Sequence, residues 1–279
     1  MIPERTRFAF VFVLIFAAVL ALAFFAPART VFSYDFAAVC ARGDVAAVRD
    51  LLFYGTDPDE RDEQGNTPLM RTVRAGVTAP LSMHIKLVDL LTGAGADVNA
   101  AAEVSPPPKG DRGNPERTMA PLHWAVEKGA NFLEMTLLLL EKGADPNLSG
   151  ALGRPLHIAA RSERAGAEHI ALLLRWGADA RLTDQWGLDP LAEAVIAPRP
   201  DAGKVRLLLE AGADPNAEFD WGDFGKINVL IAAAVNGTPD IVLLLLDNGA
   251  LKFLESEKGL TAYQYAIEAG REDNAELLK

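Results

Sequence analysis

Two hydrophobic patterns divide the chain. Residues 8–25 read FAFVFVLIFAAVLALAFF, an unbroken run of 18 positions without a charge or a polar side chain. A helix of that length extends about 27 Å, close to the thickness of the hydrocarbon layer of a bilayer. It has no polar face to turn toward water, which argues against a core helix. Arg5 and Arg7 precede it, so the N-terminus is expected in the cytoplasm and the remainder across the membrane. Segment 1–28 has two readings: an uncleaved signal anchor, or a signal peptide cut after the small residues Ala26-Pro27-Ala28. The length of the run and the bulky Phe24 and Phe25 at its end favour the anchor. In a bacterial chain the rest would then stand in the periplasm, tethered to the inner membrane. After cleavage it would be periplasmic or secreted.

From Ser33 onward the apolar positions fall instead into short runs stopped by glycine. Leu137-Leu138-Leu139-Leu140 leads to Gly143-Ala144-Asp145-Pro146-Asn147, and Leu207-Leu208-Leu209 leads to Gly212-Ala213-Asp214-Pro215-Asn216. Variants are Gly95-Ala96-Asp97-Val98-Asn99, Gly177-Ala178-Asp179, Gly249-Ala250 and Gly55-Thr56-Asp57-Pro58. These glycines are spaced by 40, 48, 34, 35 and 37 residues. A second phrase alternates with the first: Thr67-Pro68-Leu69, Pro121-Leu122-His123, Pro155-Leu156-His157 and Asp189-Pro190-Leu191.

Each feature has a local cause. Thr67 before Pro68 reads as an N-cap with proline at the first helical position, where a missing N–H costs nothing. Ala159-Ala160 and Ala233-Ala234 are small enough for neighbouring helices to approach. The Leu runs predict second helices buried between units, each Leu contributing about 1.5–3 kcal/mol. Gly143, Gly177 and Gly212 suit the left-handed residue that ends a helix, and Asp145, Asp179 and Asp214 open the turn to the next unit.

The two alternating phrases resemble the ankyrin repeat, a unit of about 33 residues built from a turn and two antiparallel helices. The resemblance covers residues 33–279 and implies an all-α ankyrin-repeat solenoid with short β-hairpin fingers, preceded by the N-terminal transmembrane or signal helix. Seven units are drawn: 33–65, 66–117, 118–153, 154–187, 188–225, 226–259 and a polar terminal cap at 260–279. The resemblance also implies that His123 and His157 make structural hydrogen bonds across turns. His84 and His169 stand apart, near the starts of second helices.

Insertions interrupt the period. Residues 76–84, 162–168 and 197–203 lengthen turns between paired helices. Residues 100–117, with Pro106-Pro107-Pro108, lengthen the finger between the second and third units into an exposed loop, either a tolerated decoration or a partner contact. Aromatic residues occur at turns where core burial gives no reason for them: Trp186, and Phe219, Trp221 and Phe224 in the next finger, spaced by Asp220 and Asp223. Either they fold against one another or they form a partner-binding patch. Trp124 follows His123 on a first helix and is read as packing.

Charge and chemistry narrow the function. The net charge of −11 opposes nucleic acid and anionic lipid heads. Cys40 is the only cysteine, so no internal disulfide forms, and it is read as a small core residue. No catalytic motif, phosphate loop, cofactor fingerprint or metal-ligand spacing is present, so no catalytic residue, cofactor, metal or small-molecule substrate is expected. Recognition of another protein, through a concave groove of fingers and first helices, is the preferred function. An inhibitor or protective partner of a secreted or periplasmic enzyme is the alternative, for which the acidic surface suits a basic partner. A structural envelope component or an enzyme ranks lower.

Overall fold

The computed structural model describes residues 35–75, 80–103 and 118–279. The expected membrane or signal helix, and most of the proline-rich insertion, lie outside the described residues. Among the described residues no helix is long and apolar enough to cross a membrane.

Fourteen α-helices among the described residues form seven pairs. The first helices of the pairs are α1 (Phe36–Ala41), α3 (Pro68–Ala75), α5 (Pro121–Lys128), α7 (Pro155–Arg161), α9 (Pro190–Ile196), α11 (Val229–Asn236) and α13 (Ala262–Glu268). The second helices are α2 (Val45–Phe53), α4 (Leu81–Gly93), α6 (Leu133–Glu141), α8 (Ala167–Arg175), α10 (Ala202–Glu210), α12 (Pro239–Asp247) and α14 (Glu272–Leu278). Odd-numbered helices pack on one another in sequence, and so do the even-numbered ones, giving two rows. Two joints carry antiparallel hairpins. β1 (Ala102–Glu103) pairs with β2 (Thr118–Met119), and β3 (Glu218–Asp220) pairs with β4 (Lys226–Asn228).

The core is continuous along the rows. Leu87, Leu91, Leu139, Leu173, Leu208 and Leu245 of the second helices are sealed from water, as are Leu69, Ala159, Ala160, Leu191, Ala233 and Ala234 of the first. Alanine on the first helices is what permits their axes to come close. Cys40 is buried in α1.

The helix ends explain themselves locally. Thr67 Oγ1 accepts from Met70 N at 3.3 Å, and Asp189 Oδ1 accepts from Ala192 N at 2.7 Å, so both residues cap helices that begin with proline. Gly143, Gly177 and Gly212 have φ of 91°, 90° and 87°, the left-handed stop. Asp145 and Asp214 then accept from the N–H two residues on, at 2.8 and 2.9 Å, which bends the chain into the finger.

Carbonyls at the ends of first helices are satisfied by side chains arriving from later units. Lys204 Nζ of α10 donates to Ala159 O and Ser162 O at 2.7 and 2.6 Å. Asn236 Nδ2 donates to Val195 O at 2.7 Å, and Asn274 Nδ2 to Ala234 O at 3.1 Å. The insertion drawn over 76–84 is shorter than the sequence suggests. α4 already begins at Leu81, and His84 is buried inside it, its Nε2 3.4 Å from Ala41 O.

Candidate functional site

The first-helix row presents a face of half-exposed side chains. α3 contributes Arg71 and Arg74, α5 Trp124, Glu127 and Lys128, α7 Arg161, α9 Ile196 and α11 Val235. Arg71 Nε meets Asp62 Oδ2 at 2.5 Å. Burial pushes the Asp62 carboxyl up, but hydrogen bonds from Asn66 and Arg71 outweigh it and hold the group below the usual carboxylate range. Arg161 is tied twice, to Glu193 Oε1 at 3.2 Å and to Leu152 O at 2.7 Å. Arg74 lies over the Trp124 ring at 4.8 Å, and the Lys128 ammonium over Phe132 at 5.1 Å.

A groove of about 400 Å³ opens where α7 and α9 end. Leu152, Ile158, Ile196, Ala197 and Pro198 give it apolar walls, while Glu127, Arg161, Glu163, Arg164 and Glu193 supply charge. Such a mixture suits a polypeptide segment with one apolar side chain and polar flanks better than a small apolar ligand. Among the described residues no group of three His, Cys, Asp or Glu side chains is placed to hold a metal.

The aromatic residues singled out from sequence divide into different environments. Phe219 is 4 % exposed, inside β3 opposite Ile227, so it is a core residue and not an exposed contact. The strand alternates, with Glu218 and Asp220 outward, and that period of two is the signal the sequence reading passed over. Trp221 and Phe224 are brought together, stacked at 4.8 Å with planes 16° apart, and Phe224 leans on Tyr265 of α13 at 5.9 Å. Both remain half-buried. Trp186 is half-buried against the core in the turn before α9, its backbone N–H donating to Asp184 Oδ1 at 2.9 Å. Trp124 packs on the core as read, but it also carries Arg74 on its face.

Other exposed aromatics were missed. Phe53 and Tyr54, 82 % and 83 % exposed, meet edge to face at 5.5 Å where α2 ends, and Phe253 in the last finger is 80 % exposed. They sit where an amphipathic pattern stops, so no periodicity marks them.

The four histidines serve the frame. His123 Nδ1 accepts from Ala120 N at 3.2 Å, leaving Nε2 to donate to Leu148 O at 3.1 Å. His157 Nε2 makes the corresponding bond to Leu188 O at 3.1 Å. Burial pushes both imidazoles down to about 4, although those carbonyls pull upward, so both rings are neutral at pH 7. His84 and His169 are buried in second helices.

Comparison with known proteins converges on one architecture. The family model for ankyrin repeats (3 copies) matches residues 36–150, 122–219, 156–253 and 201–279. The chain is 29 % identical over 193 residues to the human transient receptor potential cation channel subfamily A member 1, which is 68 % of this chain and 15 % of the channel. It is 35 % identical over 139 residues to a putative ankyrin repeat-containing protein of Treponema pallidum, covering 48 % of this chain and 43 % of that one. The chain thus spans less than half the length of these curated relatives. An ankyrin repeat domain from Acinetobacter baumannii superposes with a TM-score of 0.65 at 28 % identity, over 79 % of this chain and all of that domain. The human ASB11 ankyrin repeat domain, 23 % identical, shares the fold with a TM-score of 0.64. A fold of this kind is typically a binding module rather than a catalyst. With paired helices in two rows, histidines bonded to carbonyls of the turns that follow and family models matched end to end across residues 36–279, the chain belongs to the ankyrin repeat family.

Proposed function

We propose that this protein recognises another protein through the face formed by its first helices and fingers, on the far side of a membrane that residues 8–25 span or target. The observation that carries the reading is the open groove where α7 and α9 end, lined by apolar and charged side chains together. Solenoid repeats leave such a face uncovered because each unit buries itself only against its neighbours. Ion pairs at its edge, such as Arg164–Glu127 at 3.9 Å and Arg199–Glu163 at 3.8 Å, are exposed and loose, and a partner can exchange them at little cost. Trp186, Trp221 and Phe224 extend the contact along the fingers. The location beyond the membrane rests on the apolar run and its preceding arginines alone.

The test is affinity purification of the full chain in mild non-ionic detergent, with mass spectrometry of what is retained and N-terminal sequencing of the bait. A partner retained by the wild type and lost by Trp186→Ala combined with Trp221→Ala, with the unfolding midpoint of the variant checked in parallel, supports the reading. Absence of any specific partner from native membranes overturns it. A retained enzyme whose activity is lost in the complex would identify the chain as an inhibitor or protective partner.

A further inference from the structure

On a chain of net charge −11, the first-helix face of the second to fourth units gathers positive charge. Arg74 ends α3, Lys128 ends α5, and Arg164 lies in the loop after α7. Arg74 is stacked on Trp124 and makes no ion pair with the described residues. Arg164, with its side chain 72 % exposed, reaches Glu127 only at 3.9 Å. Glu127 opposes Arg74 and Arg164 at Lys128, while the two other carboxylates of the adjoining groove are paired elsewhere, Glu163 with Arg199 at 3.8 Å and Glu193 with Arg161 at 3.2 Å.

The backbone is built to hold these charges together. Ala130 N donates to Arg164 O at 2.9 Å, clasping the loop after α7 to the end of α5. Gly129 sits at φ 78°, and a Cβ there would fall 2.4 Å from the Arg164 carbonyl carbon. Only glycine allows the two segments to close, and that closure brings Arg164 to Lys128. Burial first, and then Arg74 and Arg164, hold the Lys128 ammonium below the ordinary lysine range against the pull of Glu127. An arrangement of cations with too few carboxylates is relieved by an anion from outside. The groove described above shares Glu127 and Arg164 with the cluster and continues from it over Ile158 and Ile196.

We propose that Arg74, Lys128 and Arg164 form the docking point for a carboxylate-rich segment of the partner protein, which sets an adjoining aliphatic side chain into the groove over Ile158 and Ile196. This rests on the recognition reading above and gives the partner its chemistry. It runs opposite to the basic partner that the overall charge suggests, because docking is decided by the local field within about a Debye length and not by the sum over the surface. Nucleic acid fits less well. A long polyphosphate meets the acidic remainder of the surface, and the Trp124 face that could stack a base is already covered by Arg74.

The experiment uses the full chain in non-ionic detergent with fluorescein-labelled hexaglutamate as probe, followed by polarisation at low and at physiological salt. Hexaglutamate binds the wild type and weakens as salt rises. Arg74→Gln combined with Lys128→Gln weakens it about tenfold or more. Arg164→Gln, at an exposed position that folding does not need, weakens it by about threefold. Lys86→Gln combined with Arg206→Gln removes the same charge from exposed positions of the second helices and leaves binding unchanged. The proposal is overturned if hexaglutamate fails to bind, or if the second-helix variants lose as much as the cluster variants. It is equally overturned if a thymidylate decamer binds more tightly than hexaglutamate with the same dependence on the cluster. The two readings fail separately. A native partner retained equally by Arg74→Gln/Lys128→Gln removes the acidic docking point and leaves protein recognition standing. Cluster-dependent hexaglutamate binding with no native partner does the reverse.

Discussion

Asn147 clasps Gly177 across the joint between the third and fourth units. Its Nδ2 donates to Gly177 O at 2.8 Å and its Oδ1 accepts from Asp179 N at 2.9 Å. Asn99 repeats the clasp onto Gly143 and Asp145, and Asn216 onto Gly249 and Leu251. At the joint between the fourth and fifth units the position is Arg181, whose guanidinium folds back onto Asp179 of its own turn at 3.0 Å. Asn147→Ala is therefore expected to cost about 1–2 kcal/mol, the loss of two hydrogen bonds in a half-exposed turn. Arg181→Asn is expected to raise the unfolding midpoint by supplying the missing clasp to Gly212 and Asp214. Urea unfolding of both variants decides it, and an Arg181→Asn protein no more stable than wild type would show that the joint has no vacancy to fill.

Leu139 tests the modular core. It is fully buried between the second helices α4 and α8 that flank its own. Leu139→Ala should cost about 2–5 kcal/mol, the transfer of the lost methyl groups plus the cavity left behind. Because each unit leans only on its neighbours, the loss at mid-array should also broaden the transition, as the halves begin to unfold apart. Denaturation followed by fluorescence in versions that keep only Trp124 or only Trp221 of the four tryptophans reads the two sides.

Most of the frame was legible because its causes are local. Thr67 before Pro68 and the glycine at each helix stop act within a few residues, so the sequence alone predicts the helices they bound. The Leu-run and alanine positions followed from periodicity. The site was less legible. Phe219 stands in a turn-rich stretch that leaves packing and partner contact equally open from sequence, yet its neighbours alternate outward and it enters the core. The basic cluster escaped because Arg74, Lys128 and Arg164 belong to three units, and only the stacking of those units, with the close approach at Gly129, makes them one site. Net charge concealed it further, since a negative total says nothing of how charge is distributed.

Lys204 is a buried lysine with a structural task. Its ammonium serves Ala159 O, Ala160 O and Ser162 O, the carbonyls that α7 leaves open at its end. Burial depresses its affinity for a proton, with Asp201 opposing. Lys204→Met keeps most of the stem but strands those carbonyls, and should cost about 1–3 kcal/mol. Lys204→Gln, which retains an N–H donor at shorter reach, should recover part of the loss. Equal stability of the methionine variant and the wild type, measured by urea unfolding, would show that water reaches the end of α7.

Stability should fall on mild acidification, and the buried histidines set the direction. His123 and His157 are pushed down to about 4, mainly by burial, whereas an unfolded chain takes up the same protons near 6.5. Between those values the unfolded state holds more protons, so their contribution is complete above about pH 6.5 and is lost as the pH drops toward 4. The limit is about 3 kcal/mol for each ring. Asp189 works the other way. Burial pushes its carboxyl up to about 6, so below that pH the folded state holds the extra proton and gains stability. The two titrations overlap, so Asp189 should offset about half of the histidine slope between about pH 5.5 and 4.5. Asp189→Asn keeps an oxygen for the Ala192 N–H and removes the opposing proton, so it should make the decline steeper, most clearly between about pH 6 and 4.5. Urea midpoints of the two proteins across this range, with the imidazole protons followed by NMR, provide the measurement. A His123 resonance titrating near 6.5 in the folded protein would mean that its ring exchanges with water and that Ala120 and Leu148 do not hold it.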